Sequence, residues 1–252
     1  MKSTVVWSML ATLVAVATGL AAVAADPPAA PKVSTFAPAE DLVPQIDEYI
    51  KGFDEAVASE DEYKDAESTL KKDANVFVLI AVALAVHDED NQYKQAAPAL
   101  IEAGEKLAAA EGYAQAKAAV AAVKAAKIAK GDPTKIAWST KHGGMTELMQ
   151  AVPLIHSRLK RYMRGTRFEK SAAENAQYSA VIAVVGQGSM PHVEDTDKPT
   201  EVVKWYEYCA QMRDAAASVN KAVRAKNQAD AEKAMDALQK SCDDCHSVFH
   251  PE

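Results

Sequence analysis

The chain of 252 residues is 49% hydrophobic but 6% aromatic, and it carries a formal net charge of −7. Its length suits one large domain or two of ordinary size. The acidic charge without any basic block argues against nucleic-acid binding, and abundant alanine with little glycine or proline after residue 45 predicts an all-α fold.

The first 25 residues have the pattern of a secretory signal peptide. Lys2 precedes an apolar run from Val5 to Leu20, and the small residues 23–25 follow it. We therefore predict cleavage after Ala25 and an exported, periplasmic protein. An uncleaved membrane anchor is the alternative, but serine, threonine and glycine interrupt the run, so no membrane segment is expected after cleavage.

Two sets of helical patterns follow a proline- and alanine-rich leader at residues 26–40, which is expected to be extended and mobile. Apolar residues recur at helical spacing in residues 41–130, a polar break with glycine and proline occupies 131–145, and a second set fills 146–252. The predicted helices are 42–58, 61–87, 91–110 and 112–130, then 146–164, 168–186, 199–226 and 228–249.

Weak similarity between the two halves indicates a duplication. The apolar segment 75–82 resembles 176–184, and each lies in the second predicted helix of its half. Four amphipathic helices can bury their apolar faces as a four-helix bundle. The sequence therefore predicts an all-α fold of two tandem four-helix bundles.

The segment 242–246 reads Cys-Asp-Asp-Cys-His, which has the Cys-x-x-Cys-His spacing of covalent c-type haem attachment. Two cysteines three residues apart lie on one face of a helix, so both sulfurs can bond to the vinyl groups at one edge of a porphyrin. His246, next to Cys245, can then bind the iron as its proximal ligand. We predict one covalent haem c held by Cys242, Cys245 and His246.

A zinc site, a dithiol redox pair and a structural disulfide are the alternatives for this segment. Zinc would need a second ligand pair at short spacing, and none accompanies the two cysteines in the sequence. A thioredoxin-like pair would open a helix after a strand, whereas these cysteines come near the end of a helical pattern. Haem attachment is therefore the preferred interpretation.

The position of the motif, in the last helix of a predicted bundle, resembles cytochrome c′ and its low-spin relatives. The resemblance covers about residues 145–252 and rests on 242–249, on the four-helix order and on the segment 148–150. It implies that 148–150 covers the distal face of the haem, opposite His246. Two features depart from the family: His250 stands where a basic residue often follows the aromatic one, and both residues between the cysteines are acidic.

Met149 is the candidate distal ligand. If its thioether binds the iron, the haem is six-coordinate and suited to electron transfer; if it only packs, the iron is open to small gases such as nitric oxide and carbon monoxide. His156 and Met163 share a helical stripe with Met149 and are weaker candidates. Pro153 is expected to kink this helix or to mark its start.

Other reactive side chains have simpler interpretations. Cys209 falls on an apolar stripe and is interpreted as an inert buried thiol. His87 precedes the acidic residues 88–90 and is interpreted as part of a solvated turn rather than a metal site. The last helix of the first half lacks cysteine and histidine, so residues 41–130 are predicted to form a haem-free structural or docking module.

Three functions are consistent with these patterns. The preferred one is a periplasmic monohaem cytochrome that transfers electrons with an unidentified redox partner protein. The second is a haem protein that binds nitric oxide or carbon monoxide, and the third is a structural or docking protein whose haem stabilises the fold. No acid–base pair or nucleophile arrangement is evident, so an enzyme is not predicted.

Overall fold

The computed structural model describes residues 26–250, and its regular structure in that range is helical. For these residues the prediction of an all-α fold is confirmed, while the predicted signal peptide lies outside them. The α-helices of the described range are α1 (Ala39–Ala56), α2 (Glu60–Ala85), α3 (Ala97–Ala108), α4 (Tyr113–Ala126), α5 (Met145–Tyr162), α6 (Thr166–Lys170), α7 (Ala172–Gly188), α8 (Val202–Arg224) and α9 (Gln228–Phe249).

Side-chain caps set where two of these helices begin. Ser59 caps α2 by accepting a hydrogen bond from the backbone N–H three residues on, and acidic residues 60–62 fill the first turn. Asn227 caps α9 in the same way by accepting from the N–H of Asp230. Both caps satisfy N–H groups that a helix leaves free, and the acidic first turn of α2 also complements the helix dipole. The cap at Asn227 thereby fixes the start of the helix that carries residues 242–246.

The apolar parts of α2 and α7 lie at the centre of the molecule. Every residue of α2 from Ala74 to Ala85 is buried, as is every residue of α7 from Ser179 to Gly188. The two helices approach so closely that a Cβ atom at Gly188 would come within 2.8 Å of the Leu79 side chain. A helix that is apolar all round needs neighbours on every side, so the other long helices are arranged around this pair.

The two predicted halves share one hydrophobic core. α1 packs on α7, and α2 packs on both α5 and α7. Polar contacts also cross between the halves: Asp41 of α1 accepts hydrogen bonds from Asn220 and Arg224 of α8 at 2.8 and 3.1 Å, and Gln45 donates to Gln177 at 2.9 Å. The halves are therefore joined by both apolar and polar contacts, and their division into two tandem bundles stays a prediction.

Part of the segment predicted as a mobile leader is packed onto the core. Val33, Phe36 and Ala37 are buried. The Phe36 ring lies 6.4 Å from the ring of Trp138 and 5.7 Å from the guanidinium of Arg213, measured between centres. Burial of an aromatic side chain between two partners favours one position of the chain, so the segment differs from the expected extended leader from Val33 onward.

The end of the predicted linker is fixed where it leads into α5. Gly143 adopts a φ of +76°, which glycine reaches without the steric cost that other residues meet. The N–H of Gly144 donates a hydrogen bond to Oδ1 of Asn75 in α2 at 2.6 Å. These two residues hold the start of α5 at Met145 against the first half of the chain.

Membrane-spanning potential is low throughout the described range. The helix α2 has 26 residues, but charged residues fill its first half. Between residues 26 and 250, no helix is long and apolar enough to cross a membrane.

Candidate functional site

Cys242, Cys245 and His246 lie in the last third of α9, beside the face that packs on α8. Leu238 and Phe249 on this helix are buried, whereas Cys242 and Cys245 are half-buried and His246 is exposed. The predicted haem-attachment residues are thus at the edge of the packed core rather than within it. Their side chains remain accessible from a neighbouring space.

That space is a cavity between α9, α8 and α5. It has two adjoining parts of about 590 and 250 Å³. The two parts have five lining residues in common: Met145, Met149, Trp205, Cys245 and His246. Pockets that bind small molecules and cofactors are commonly about 300–1,000 Å³, so the cavity has the size of a ligand site.

The wall opposite α9 is formed by α5. Residues at the start of α5, among them Met145 and Met149, line the cavity together with residues at the end of α9, among them Cys245, His246 and Phe249. The two helices therefore run antiparallel, and Met149 lies across the cavity from His246. The structure brings the predicted proximal ligand and the predicted distal candidate to one cavity.

Pro153 lies inside α5, which continues from Met145 to Tyr162. The helix therefore begins before Pro153, and the proline does not mark its start. Because proline has no N–H, the carbonyl of Met149, four residues earlier, lacks its usual helical hydrogen bond from that position. Pro153 itself lines the cavity, one turn along α5 from Met149.

The first and last helices of the second half are separated by the cavity, whereas those of the first half pack on each other. In the first half α4 packs on α1, and Lys124 and Lys127 form ion pairs with Asp54 and Asp47 at 2.6 and 2.5 Å. In the second half α9 packs on α8 but makes no extensive contact with α5 over the described residues. The cavity between α5 and α9 therefore lies where, in the first half, α1 and α4 are in direct contact.

Aromatic side chains of α8 and α9 line the cavity. The buried indole of Trp205 contacts Phe249 edge-on at 5.2 Å, and its Nε1–H donates to the carbonyls of Ser189 and Met190 at 3.1 Å. Tyr208 contacts the same phenylalanine ring at 6.2 Å. The sequence reasoning did not assign these aromatic residues to the site. Their spacing on one stripe of α8, together with an aromatic residue shortly after the motif, was the signal that could have done so.

The other candidate ligands, His156 in α5 and Met163 directly after it, occupy different places. Met163 is 3% exposed and packs in the core away from the cavity. His156 lines the cavity, and its Nε2 atom is buried with no hydrogen-bond partner among the described residues. Met145, which the sequence reasoning did not consider, lies one turn before Met149 and packs against the aromatic cluster of Trp205.

Burial raises the pKa values of the three thiols that line the cavity. The pKa of Cys245 is raised to about 11, first by burial and then by the neighbouring Cys242, whose own pKa is also raised by burial. Cys209 is 5% exposed, and burial raises its pKa well above the ordinary value. Reactive dithiol pairs have lowered pKa values, so the direction of these shifts does not favour the redox-pair alternative, and the burial of Cys209 agrees with its inert interpretation.

His87 is buried at 2% exposure and does not lie in a solvated turn. Its Nε2 lies 3.2 Å from the carbonyl oxygen of Ala37, and its Nδ1 accepts a hydrogen bond from the N–H of Glu89 at 3.0 Å. The ring thus joins the buried part of the leader to the end of α2. Across residues 26–250, no group of three or more histidine, cysteine, aspartate or glutamate side chains is arranged to hold a metal ion.

Comparison of the chain with protein-family models, with curated proteins and with solved structures found no match. Its function is therefore inferred from the residues of the cavity.

Proposed function

We propose that this chain is an exported c-type cytochrome that carries one covalent haem and transfers single electrons in the periplasm with a redox partner protein. The observation that carries the proposal is the cavity, where Cys242, Cys245 and His246 of α9 face Met149 of α5. The pentapeptide has the residue order of haem attachment, and it borders a space of suitable size.

The donor atoms of this cavity fit a haem. Cys242 and Cys245 would form thioethers at one edge of the ring, and His246 would bind the iron from the same helix. The Met149 thioether, from α5, would be the candidate for the opposite side of the iron. The mostly apolar walls suit a porphyrin. When bound, the haem supplies an iron that gains and loses one electron.

The surrounding side chains set the environment of that iron. Trp205 and Met212 are buried residues of the cavity wall, and an apolar wall that excludes water favours the less charged ferrous state. Asp243 and Asp244 act in the opposite direction by stabilising ferric charge. Their effect is weakened by solvent and by Lys240, which forms an ion pair with Asp244 at 2.6 Å.

Haem staining after a denaturing gel tests the proposal in protein made by a host that attaches haem to exported chains. Thioether bonds survive unfolding, so the wild-type band stains, and the intact mass corresponds to a chain beginning at Asp26 with one haem. Cys242→Ala/Cys245→Ala removes the stain. Cys209→Ala, which changes the third cysteine of the same cavity, keeps it and is the matched control. A folded wild-type protein whose band does not stain contradicts the proposal.

If Met149 does not bind the iron, the sixth coordination position stays open, and the haem would bind nitric oxide or carbon monoxide instead of serving mainly in electron transfer. This alternative shares the same attachment residues and differs only in the distal ligand. Variants of Met149 therefore separate the two functions.

A further inference from the structure

A basic surface lies at the end of α5 and on α6, in a chain whose net charge is acidic. Residues 158–170 hold six basic residues and a single acidic one, Glu169. The six, which we call the basic patch, are Arg158, Lys160, Arg161, Arg164, Arg167 and Lys170, and they include four of the chain's six arginines. Other residues interrupt them, so no continuous basic block marks the patch in the sequence.

The basic patch is exposed and keeps its positive charge unpaired. All six residues are exposed, and none of them forms an ion pair within the described part of the chain. Asp73 of α2 acts electrostatically on Arg158 without pairing with it. The remaining arginines, Arg213 and Arg224, are both ion-paired. Unpaired guanidinium groups are therefore concentrated in one part of the surface.

Packing on the core holds this part of the chain in place. Met163 and Phe168 are buried at 3% and 1% exposure, and they fix the turn between α5 and α6. Arg164 and Arg167 are the exposed neighbours of these two residues. Positive charge in the last turn of α5 complements the helix dipole, but Arg164 and Arg167 lie beyond that turn. Helix stability therefore does not account for the whole patch.

An exposed apolar side chain adjoins the basic patch. Leu154 of α5 is 47% exposed, one of three large apolar residues in the described range with an exposed side chain. Positions four and seven residues apart lie on one face of a helix, so Leu154, Arg158 and Arg161 share a face of α5. Binding to a membrane surface uses both apolar contact and the attraction of basic side chains to anionic lipids.

The position of the patch relative to the cavity distinguishes between two anionic surfaces, an acidic redox partner and a lipid membrane. A redox partner must approach the cavity, which is lined by Glu147, Asp195 and Asp243, and these carboxylates repel an acidic protein. The larger part of the cavity lies at the start of α5, whereas the patch begins after His156, the last residue of α5 that lines the cavity. The patch therefore suits the membrane better than the redox partner.

We propose that the basic patch attaches the exported protein to a membrane surface of anionic phospholipids. Arginine binds phosphate groups through two parallel hydrogen bonds, and each basic residue near an anionic lipid surface strengthens attachment about fivefold. At about 0.1 M salt, charges act over about 10 Å, so the lipid is attracted by the patch more than it is repelled by the acidic remainder of the molecule. The attachment does not depend on haem, and it leaves the larger part of the cavity accessible.

Co-sedimentation with lipid vesicles tests the attachment. The protein used is one whose intact mass shows a chain beginning at Asp26, so that the predicted signal peptide cannot itself bind lipid. At about 0.1 M salt, wild type binds vesicles of equal parts phosphatidylglycerol and phosphatidylcholine but not vesicles of phosphatidylcholine alone, and about 1 M salt releases it. Arg161→Gln/Arg164→Gln/Arg167→Gln lowers the partition coefficient for the mixed vesicles roughly 100-fold. Its circular dichroism stays as in wild type, because the three side chains are exposed and unpaired.

A matched variant loses the same charge elsewhere. Lys51→Gln/Lys130→Gln/Lys135→Gln replaces three exposed lysines that precede α5 and form no ion pair within residues 26–250, and it binds the mixed vesicles as wild type does. Equal losses in the two variants, or equal binding of wild type to both kinds of vesicle, overturn the proposal. Wild type that does not bind the mixed vesicles also overturns it, and binding to poly-L-glutamate would then assign the patch to an acidic protein.

Discussion

Replacing Met149 by alanine separates electron transfer from gas binding. Met149 lines both parts of the cavity and is half-buried. A fully buried methionine costs about 2–5 kcal/mol when truncated to alanine, so a half-buried one should cost about 1–2 kcal/mol. Domains of this kind are stable by about 5–15 kcal/mol, and the variant therefore stays folded. Any large spectral change then reports the iron rather than unfolding.

Visible spectra of the ferric and ferrous proteins are the assay. If the Met149 thioether binds the iron, wild type shows the weak far-red absorption of methionine ligation and binds carbon monoxide poorly. Met149→Ala abolishes that band, changes the spin state and gains carbon monoxide binding in the ferrous state, because the sixth position becomes open.

Met145, in the same helix, and Met163, which directly follows it, are the controls for this substitution. Met163→Ala, in the core and away from the cavity, costs about 2–5 kcal/mol of stability but leaves the haem spectrum unchanged. Met145→Ala tests whether the methionine one turn before Met149 binds the iron instead. Wild type that already binds carbon monoxide, with no spectral change in Met149→Ala, refutes the ligation and favours the gas-binding function. If Met145→Ala loses the far-red band and Met149→Ala keeps it, the distal ligand is Met145, one turn earlier in α5.

Two stability predictions concern the contact between the halves. Asp41 is 4% exposed and accepts hydrogen bonds from Asn220 and Arg224, so Asp41→Ala should lower the free energy of unfolding by about 2–3 kcal/mol, as measured by urea denaturation. Asp41→Asn keeps an acceptor and should lower it less. An unchanged midpoint in Asp41→Ala would show that this network does not stabilise the fold. Burial raises the pKa of Asp73 to about 6, with Arg158 and Lys72 acting against the shift. The folded state then binds more protons than the unfolded state between about pH 4 and 6, so stability falls as the pH rises through this range. Asp73→Asn should flatten that slope and stabilise the protein at pH 7 by up to about 3 kcal/mol, and parallel slopes for both proteins would contradict it.

The sequence predicted the helices and the candidate site well where neighbouring residues alone determine them. Apolar periodicity and alanine content gave an all-helical chain, and the order of residues 242–246 marked the candidate site without any knowledge of packing. The predicted third helix began at residue 91, whereas α3 begins at Ala97. Asn91 accepts a hydrogen bond from the N–H of Tyr93 in a turn, and such local bonds compete with helix formation.

Features that depend on distant contacts were not predictable in this way. A proline-rich composition favours an extended leader, but burial of Phe36 beside Trp138 and Arg213 depends on residues far along the chain. His87 was expected in a solvated turn for the same reason, because its acidic neighbours are local and its partner Ala37 is not. The cavity also required the structure, since only the packing of α5, α8 and α9 shows that a space separates α5 from α9.

The helix α5 belongs to two surfaces at once. One side lines the cavity with Met149 and His156, and the helix also packs on α2 in the half that lacks the cysteine motif. Contacts of this kind link the stability of one part of a protein to that of another. We therefore expect a group bound in the cavity to restrain α5 and, through α2, the first half as well, so that the stability of the first half depends on what the second half contains.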